Sequence, residues 1–145
     1  MKLFTIGFTK KSASRFFELL RSAGVRRVLD TRLNNRSQLA GFSKGDDLEY
    51  FLKAVGKIAY RYTPELAPTQ EILDQFKKLG GLWADYERQY LKLLSERTVE
   101  RSLTPSLLED ACLLCSEHEP NYCHRRLAAE YLQRLIPGIK IAHLM

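Results

Sequence analysis

Short apolar runs alternate with amphipathic segments along this chain, and this alternation limits the folds that it can adopt. Five runs have the composition of strands: "KLFTIG", "RRVLDTR", "KIAYRY", "DACLLC" and "IKIAHL". Strands that alternate with helices form βαβ units, whose parallel sheet is covered by helices on both faces. The sequence therefore predicts an α/β fold, a single three-layer domain over residues 1–145 with a mainly parallel sheet of about five strands.

Helical spacing is clearest after the first and fourth predicted strands. In "SASRFFELLRSAGV" the apolar residues share one face and Gly24 ends the helix, and "CHRRLAAEYLQRLI" has the same pattern before Pro137. Further helices are predicted over residues 46–55, 70–79 and 83–95. Trp83, Tyr86 and Tyr90 form a stripe on the last of these, which we interpret as packing and not as a base-stacking platform.

Composition narrows the class of protein. No apolar run approaches the roughly 20 residues of a membrane helix, so we expect a cytoplasmic protein without membrane association. The chain has three cysteines, an odd number not spread as a disulfide framework would be, so we expect reduced thiols. The net charge of +6 favours an anionic partner, a small molecule or nucleic acid. The oligomeric state stays open.

Polar side chains follow the predicted strands at the points where the strands end. In open parallel sheets, ligands bind beyond these carboxyl ends. The residues expected there include six candidates for substrate binding: Asp30, Arg32, Arg36, Tyr60, Cys115 and Arg125. An alternative for Asp30 and Arg32 is a structural ion pair.

The loop "ACLLCSEHEPNYCHRR" contains all three cysteines and two of the three histidines. A helix beginning near Cys123 would present free N–H groups and a positive dipole end, which bind anions and lower a thiol's pKa. Glu117, His124 and Cys123 are therefore the candidate catalytic residues, for proton transfer and nucleophilic attack. Each has a structural alternative: a surface acid, a semi-buried histidine and a packed helix cap. Helical geometry places Arg125 at the border of the apolar face and turns Arg126 outward to solvent. We therefore expect Arg125 to be the better anion ligand of the two.

The same loop superficially resembles a zinc site. Cys112 and Cys115 are three apart on a strand and fall on opposite faces, so they cannot share one ion. A site made from Cys115, Cys123, His124 and Glu117 stays open as an alternative, but we expect neither a resident metal nor a cofactor. A phosphatase-like cradle is excluded, because no arginine stands six positions after Cys115 or Cys123.

The chain resembles the family called domain of unknown function 488. The most specific match is "LLCSEHEPNYCHRRL", which contains the Cys-His-Arg (CHR) motif, and "TIGFT", "LDTR" and "GKIAYRY" match further elements, with Tyr60 at the family's tyrosine. The resemblance implies the family's fold and site position, but no particular reaction. The chain departs from the family at Phe8, where a histidine is usual, and in the loop "LNNRSQLAGFSK", where Arg36, Ser37 and Phe42 are the nearest equivalents.

Together these features favour an enzyme that acts on a phosphate-bearing substrate, a nucleotide or a nucleic-acid end, with the reaction type left open. One alternative is a non-catalytic module that binds nucleotide or nucleic acid through the same basic rim. Another is a structural clasp in which Glu117 and Asp30 pair with the arginines.

Overall fold

A computed structural model describes residues 1–36 and 41–145. The strands are β1 (Lys2–Gly7), β2 (Arg27–Asp30), β3 (Ala59–Tyr62), β4 (Ala111–Cys115) and β5 (Lys140–Leu144). The helices are α1 (Ala13–Ala23), α2 (Gly45–Gly56), α3 (Gln70–Lys77), α4 (Trp83–Arg97), α5 (Val99–Ser102), α6 (Pro105–Leu108) and α7 (His124–Leu135), with short 3-10 turns at Gly41–Ser43 and Pro64–Leu66.

The five strands form one parallel sheet in the order β3-β2-β4-β1-β5. This confirms the predicted α/β class. β4 is inserted between β1 and β2, and every residue of β4 is buried. A continuous apolar strand of this kind is typical of a parallel sheet covered on both faces.

Two apolar clusters lie on opposite faces of the sheet. Phe16 and Leu20 of α1 pack with Leu48 and Leu52 of α2 on one face, and Cys112 lies in the same cluster. Tyr90 of α4 and the apolar side of α7 pack on the other face. The prediction that Cys112 points away from the Cys115 side of β4 is consistent with this division, because alternate residues of a strand face opposite ways.

Local sequence explains where the helices begin and end. Ser12 accepts a hydrogen bond from the Arg15 backbone N–H at the start of α1, and Gly24 ends it with φ 78°. Thr69 caps α3 in the same way. The segment "RSLTP" contributes to two four-residue helices, α5 and α6, with Pro105 at the first position of α6.

The strand connections leave the carboxyl edge of the sheet toward opposite faces. α2 follows β2 on one face, whereas α7 follows β4 on the other, although β2 and β4 are neighbours. The segments that follow β2 and β4 therefore turn to opposite sides of the sheet. A crevice opens between the ends of these two strands, as expected where the strand order reverses. Among the described residues, no helix has the length and apolar character needed to cross a membrane.

Candidate functional site

A cleft of about 340 Å³ opens at the carboxyl ends of β2 and β4. Its walls come from the segment after β2, the segment after β4, the start of α7, and helices α3 and α4. Of the predicted site residues, those lining the cleft are Arg32, Cys115, Glu117, Cys123 and His124. Asp30, Arg36, Tyr60 and Arg125 are not among its lining residues.

The loop after β4 crosses closely over the end of β1. Gly7 lies opposite Cys115 in the strand register, and the Thr9 N–H donates to the Ser116 carbonyl at 3.1 Å. A Cβ atom on Gly7 would overlap the Glu117 carbonyl oxygen. The absence of a side chain at residue 7 therefore lets the loop fold down and bring Glu117 to the cleft.

Arg125 holds this loop from below. Its guanidinium is fully buried and donates to the carbonyls of Glu117 (2.5 Å) and His118 (3.1 Å), to Cys115 Sγ (3.1 Å) and to Thr5 Oγ1 (3.3 Å). Burial lowers the pKa of Arg125 to about 10, so it remains a cation at neutral pH. Arg125, expected as an anion ligand, thus donates to backbone carbonyls, because the loop folds over a position that helical geometry had put at the border of the buried face. These bonds position the loop, and anion binding by Arg125 stays a prediction.

Asp30, Arg32 and Tyr60 form a buried cluster beside the cleft. Arg32 Nε and Nη2 each donate to the Asp30 carboxylate at 2.8 Å, and the Tyr60 hydroxyl donates to it at 2.7 Å. Burial, and next the hydrogen bond to Asp30, raise the pKa of Tyr60. The structural ion pair that the sequence left open is therefore present, and Asp30 and Tyr60 act by holding Arg32.

One nitrogen of the Arg32 guanidinium makes no hydrogen bond with the described residues. The side chain is only 3% exposed, and Nη2 also donates to the Ser43 carbonyl at 2.6 Å. Nη1 is buried and has no hydrogen-bond partner among the described residues. The guanidinium lies over the Phe8 ring, with the Arg32 Cζ atom 5.3 Å from the ring centroid. A buried N–H of a cation without a hydrogen-bond acceptor is costly, which makes Arg32 the residue of the cleft lining to test for ligand binding.

His124 connects the start of α7 to the segment after β2. Its Nε2 lies 2.8 Å from the Thr31 carbonyl and 3.0 Å from Thr31 Oγ1, which itself donates to the Leu114 carbonyl. Both neighbours of Nε2 are acceptors, so the network assigns the proton to Nε2 and leaves the lone pair on Nδ1. Burial, opposed by the hydrogen bond to Thr31, lowers the pKa of His124 to about 4. The imidazole is therefore neutral at pH 7.

The start of α7 offers positive potential to the cleft. Cys123 is the N-cap residue without a side-chain capping bond, and the first turn holds no acidic residue. The free N–H groups at the start of this 12-residue helix and the helix dipole therefore add to the positive charge of Arg32. Arg32 is linked to this helix because Thr31, its neighbour in the sequence, is hydrogen-bonded to His124.

The sulfur atoms of Cys115 and Cys123 lie next to each other, whereas Cys112 is buried away from them. They approach because one residue ends β4, the other caps α7, and only a short loop separates them. Their Cα atoms are 7.6 Å apart, wider than the range of about 4.4–6.8 Å in disulfides, so reduced thiols stay the prediction. In the part of the chain that the structure describes, no cluster of three or more His, Cys, Asp or Glu side chains is arranged to hold a metal.

Glu117 pairs with a residue that the sequence analysis did not consider. Its carboxylate contacts Lys77 of α3 across the cleft. Both side chains are nearly half exposed, at 45% and 48%, and pairs of this kind contribute at most about 1 kcal/mol. A ligand can therefore separate them, leaving a cation and a carboxylate at the cleft.

Aromatic side chains form the wall opposite the loop. Phe76, Trp83 and Tyr122, here called the aromatic wall, line the cleft together with Tyr86, whose ring stacks on Trp83 at 4.8 Å between ring centroids. The stripe over Trp83 and Tyr86 was visible in the sequence and interpreted as packing. That interpretation fits Tyr90, which is fully buried and donates to the Leu66 carbonyl.

Residues of the loop after β2 are only partly described. Arg36 is exposed, and its backbone N–H donates to Asn34 Oδ1. Ser37, named as a possible family equivalent, lies outside the described residues. Phe42 packs against Phe16 and Phe17 and so belongs to the core.

Comparison with known proteins places the chain in a family without supplying a reaction. No curated protein and no solved structure gives a match. The family model described as Domain of unknown function DUF488 matches residues 12–132, a range that contains Asp30, Arg32 and the whole loop from Cys115 to Arg126. The chain belongs to the DUF488 family.

Proposed function

We propose that the protein is a cytoplasmic enzyme that acts on a phosphate-bearing substrate, a nucleotide or a nucleic-acid end, in the cleft at the carboxyl edge of the sheet. The observation that carries this proposal is the buried, unpartnered Nη1 of Arg32 among the described residues. A phosphate oxygen is the acceptor that a guanidinium accommodates best, and the start of α7 adds N–H donors.

Two groups at the same cleft support catalysis over binding alone. The neutral imidazole of His124 has its lone pair on Nδ1, and the Glu117 carboxylate stands beside Lys77. Glu117 would accept a proton from the attacking group, while Lys77 and Arg32 would stabilise negative charge that develops on the phosphate. Cys123 could attack a substrate as a thiolate, at the start of α7.

The experiment compares Glu117→Gln with wild type on a panel of nucleotides and oligonucleotides with terminal phosphates. We expect the variant to lose turnover at least about 100-fold while ligand affinity stays within about threefold. Glu119→Gln is the matched control, since Glu119 is an exposed acid of the same loop that does not line the cleft.

The alternatives give different outcomes. A wild-type protein that binds the panel but turns over none of it would overturn the enzyme in favour of the binding module. A lower melting temperature in Glu117→Gln, without any effect on ligand binding or turnover, would support the structural clasp, in which the loop only stabilises the fold.

A further inference from the structure

The aromatic wall is more than an extension of the core. Phe76 and Trp83 pack on one side against the cluster beneath α4 and α7. Tyr122, in contrast, is 64% exposed and comes from the loop before α7, where it meets Trp83 edge-on at 5.4 Å between centroids. Aromatic surface left in water is unfavourable, so a ring that covered it would bind favourably.

The wall and Arg32 belong to one cleft. The cleft volume of about 340 Å³ is near the lower end of the range for small-molecule sites, about 300–1,000 Å³. One side offers a buried guanidinium with a free N–H, and the other offers planar apolar surface. A ligand that satisfies both sides carries a phosphate and a flat ring in one compact molecule.

We infer that the cleft takes a single mononucleotide, with its base stacked on Trp83 at the aromatic wall and its phosphate on Arg32. This inference rests on the proposed function, because it names the second part of the ligand whose phosphate Arg32 holds. Every base has a π face, so stacking is tolerant of base identity and contributes affinity for all four bases. The size of the cleft favours one nucleotide unit over a longer strand.

The chain provides its own reporter for this contact. Trp83 is its only tryptophan, so tryptophan fluorescence, excited selectively over the seven tyrosines, reports on the aromatic wall. Titrations of the full chain use AMP, adenosine, ribose 5-phosphate and a 5′-phosphorylated oligonucleotide, with calorimetry in parallel. We expect AMP to quench Trp83 and to bind about tenfold or more tightly than ribose 5-phosphate, which binds without quenching.

Variants separate the two parts of the ligand. Trp83→Leu should lower AMP affinity about tenfold and leave ribose 5-phosphate affinity unchanged, whereas Trp83→Phe should retain most AMP affinity. Tyr50→Leu is the matched control, because Tyr50 is an exposed aromatic residue of α2 that does not line the cleft. Quenching in the wild type needs no variant and so survives a folding defect in Trp83→Leu.

The results that overturn the inference differ from those that overturn the proposed function. Equal affinities for AMP and ribose 5-phosphate, with unchanged fluorescence, would show that the base does not stack on Trp83. That result would still support a phosphate site. If the oligonucleotide binds tenfold more tightly than AMP, the ligand is a strand and not a single mononucleotide. Failure of every phosphate compound to bind would refute the proposed function itself.

Discussion

Arg125 and Arg126 are adjacent in the sequence, yet the structure gives them opposite surroundings. Arg125 is fully buried and donates to two loop carbonyls, whereas Arg126 forms a partly exposed pair with Glu130 at 2.8 Å. A buried guanidinium that organises several acceptors is hard to replace, because each acceptor left without a donor stays buried. The surface pair can be lost with little effect.

This contrast predicts the effect of two conservative substitutions. Arg125→Lys keeps the charge but cannot reach all four acceptors, so the free energy of unfolding should fall by about 3 kcal/mol. Arg126→Lys, the matched control, should change it by about 0.5 kcal/mol or less. Denaturant unfolding measures both, and equal effects would refute the positioning role of Arg125.

His124 should make stability depend on pH. The folded protein holds it neutral down to a pKa of about 4, whereas the unfolded chain protonates it near 6.5. Between these values the unfolded state binds the additional proton, so the free energy of unfolding falls as the pH falls, by about 3 kcal/mol in total from this residue. Above pH 6.5 the residue has no such effect.

The measurement is denaturant unfolding at a series of pH values between 7 and 4. His124→Gln should lose clearly less stability over this range than wild type, since the titrating group is gone. If the free energy of unfolding of His124→Gln depends on pH as steeply as that of wild type, His124 is not the group whose protonation destabilises the fold.

At the scale of elements, the site depends on how closely the loop after β4 approaches the end of β1. The approach is possible only because residue 7 has no side chain. The same loop places Glu117 opposite Lys77 of α3 and connects, through Cys123, to the start of α7. Displacing it would therefore alter several walls of the cleft together.

Gly7→Ala tests this close approach. The new methyl group would overlap a backbone oxygen that Arg125 also holds, so we expect a loss of at least about 2 kcal/mol in the free energy of unfolding and weakened ligand binding. Gly41→Ala is the control, because a Cβ at residue 41 meets no atom of the described residues within 4 Å. Thermal melts and ligand titration of both variants decide the matter. A Gly7→Ala protein as stable as the control would show that the loop does not need this contact.

Reduced thiols predict the thiol count of the chain. Denatured without reductant, the chain should show three reactive thiols, and the same number after reduction. Ellman titration in denaturant gives both numbers. A single reactive thiol in the unreduced sample would show that Cys115 and Cys123 form a disulfide and would remove Cys123 as a nucleophile.

At the scale of the whole molecule, sequence periodicity was sufficient for the fold and for the edge that carries the cleft. The period-2 and period-3.6 patterns predicted all five strands and the five longer helices, and the rule for carboxyl ends brought Arg32, Glu117 and His124 together. These features depend on local pattern and on topology, both of which a single sequence contains.

The remaining part of the site depends on contacts between distant segments. Lys77 and Glu117 are 40 residues apart, and nothing in either local sequence indicates their pairing. Trp83 was recognisable as an aromatic residue on a helix, but its position at the cleft follows from how α4 packs beside α7. The inward turn of Arg125 likewise follows from the folded loop above it.

The central claim is that Arg32, whose Nη1 has no hydrogen-bond partner among the described residues and which lines the same cleft as His124, binds the phosphate of a ligand there. The most direct measurement is a crystal structure of the protein with AMP. The account predicts a phosphate oxygen within about 3.2 Å of Arg32 Nη1. A phosphate bound elsewhere on the molecule, with Nη1 still without a partner, would contradict it.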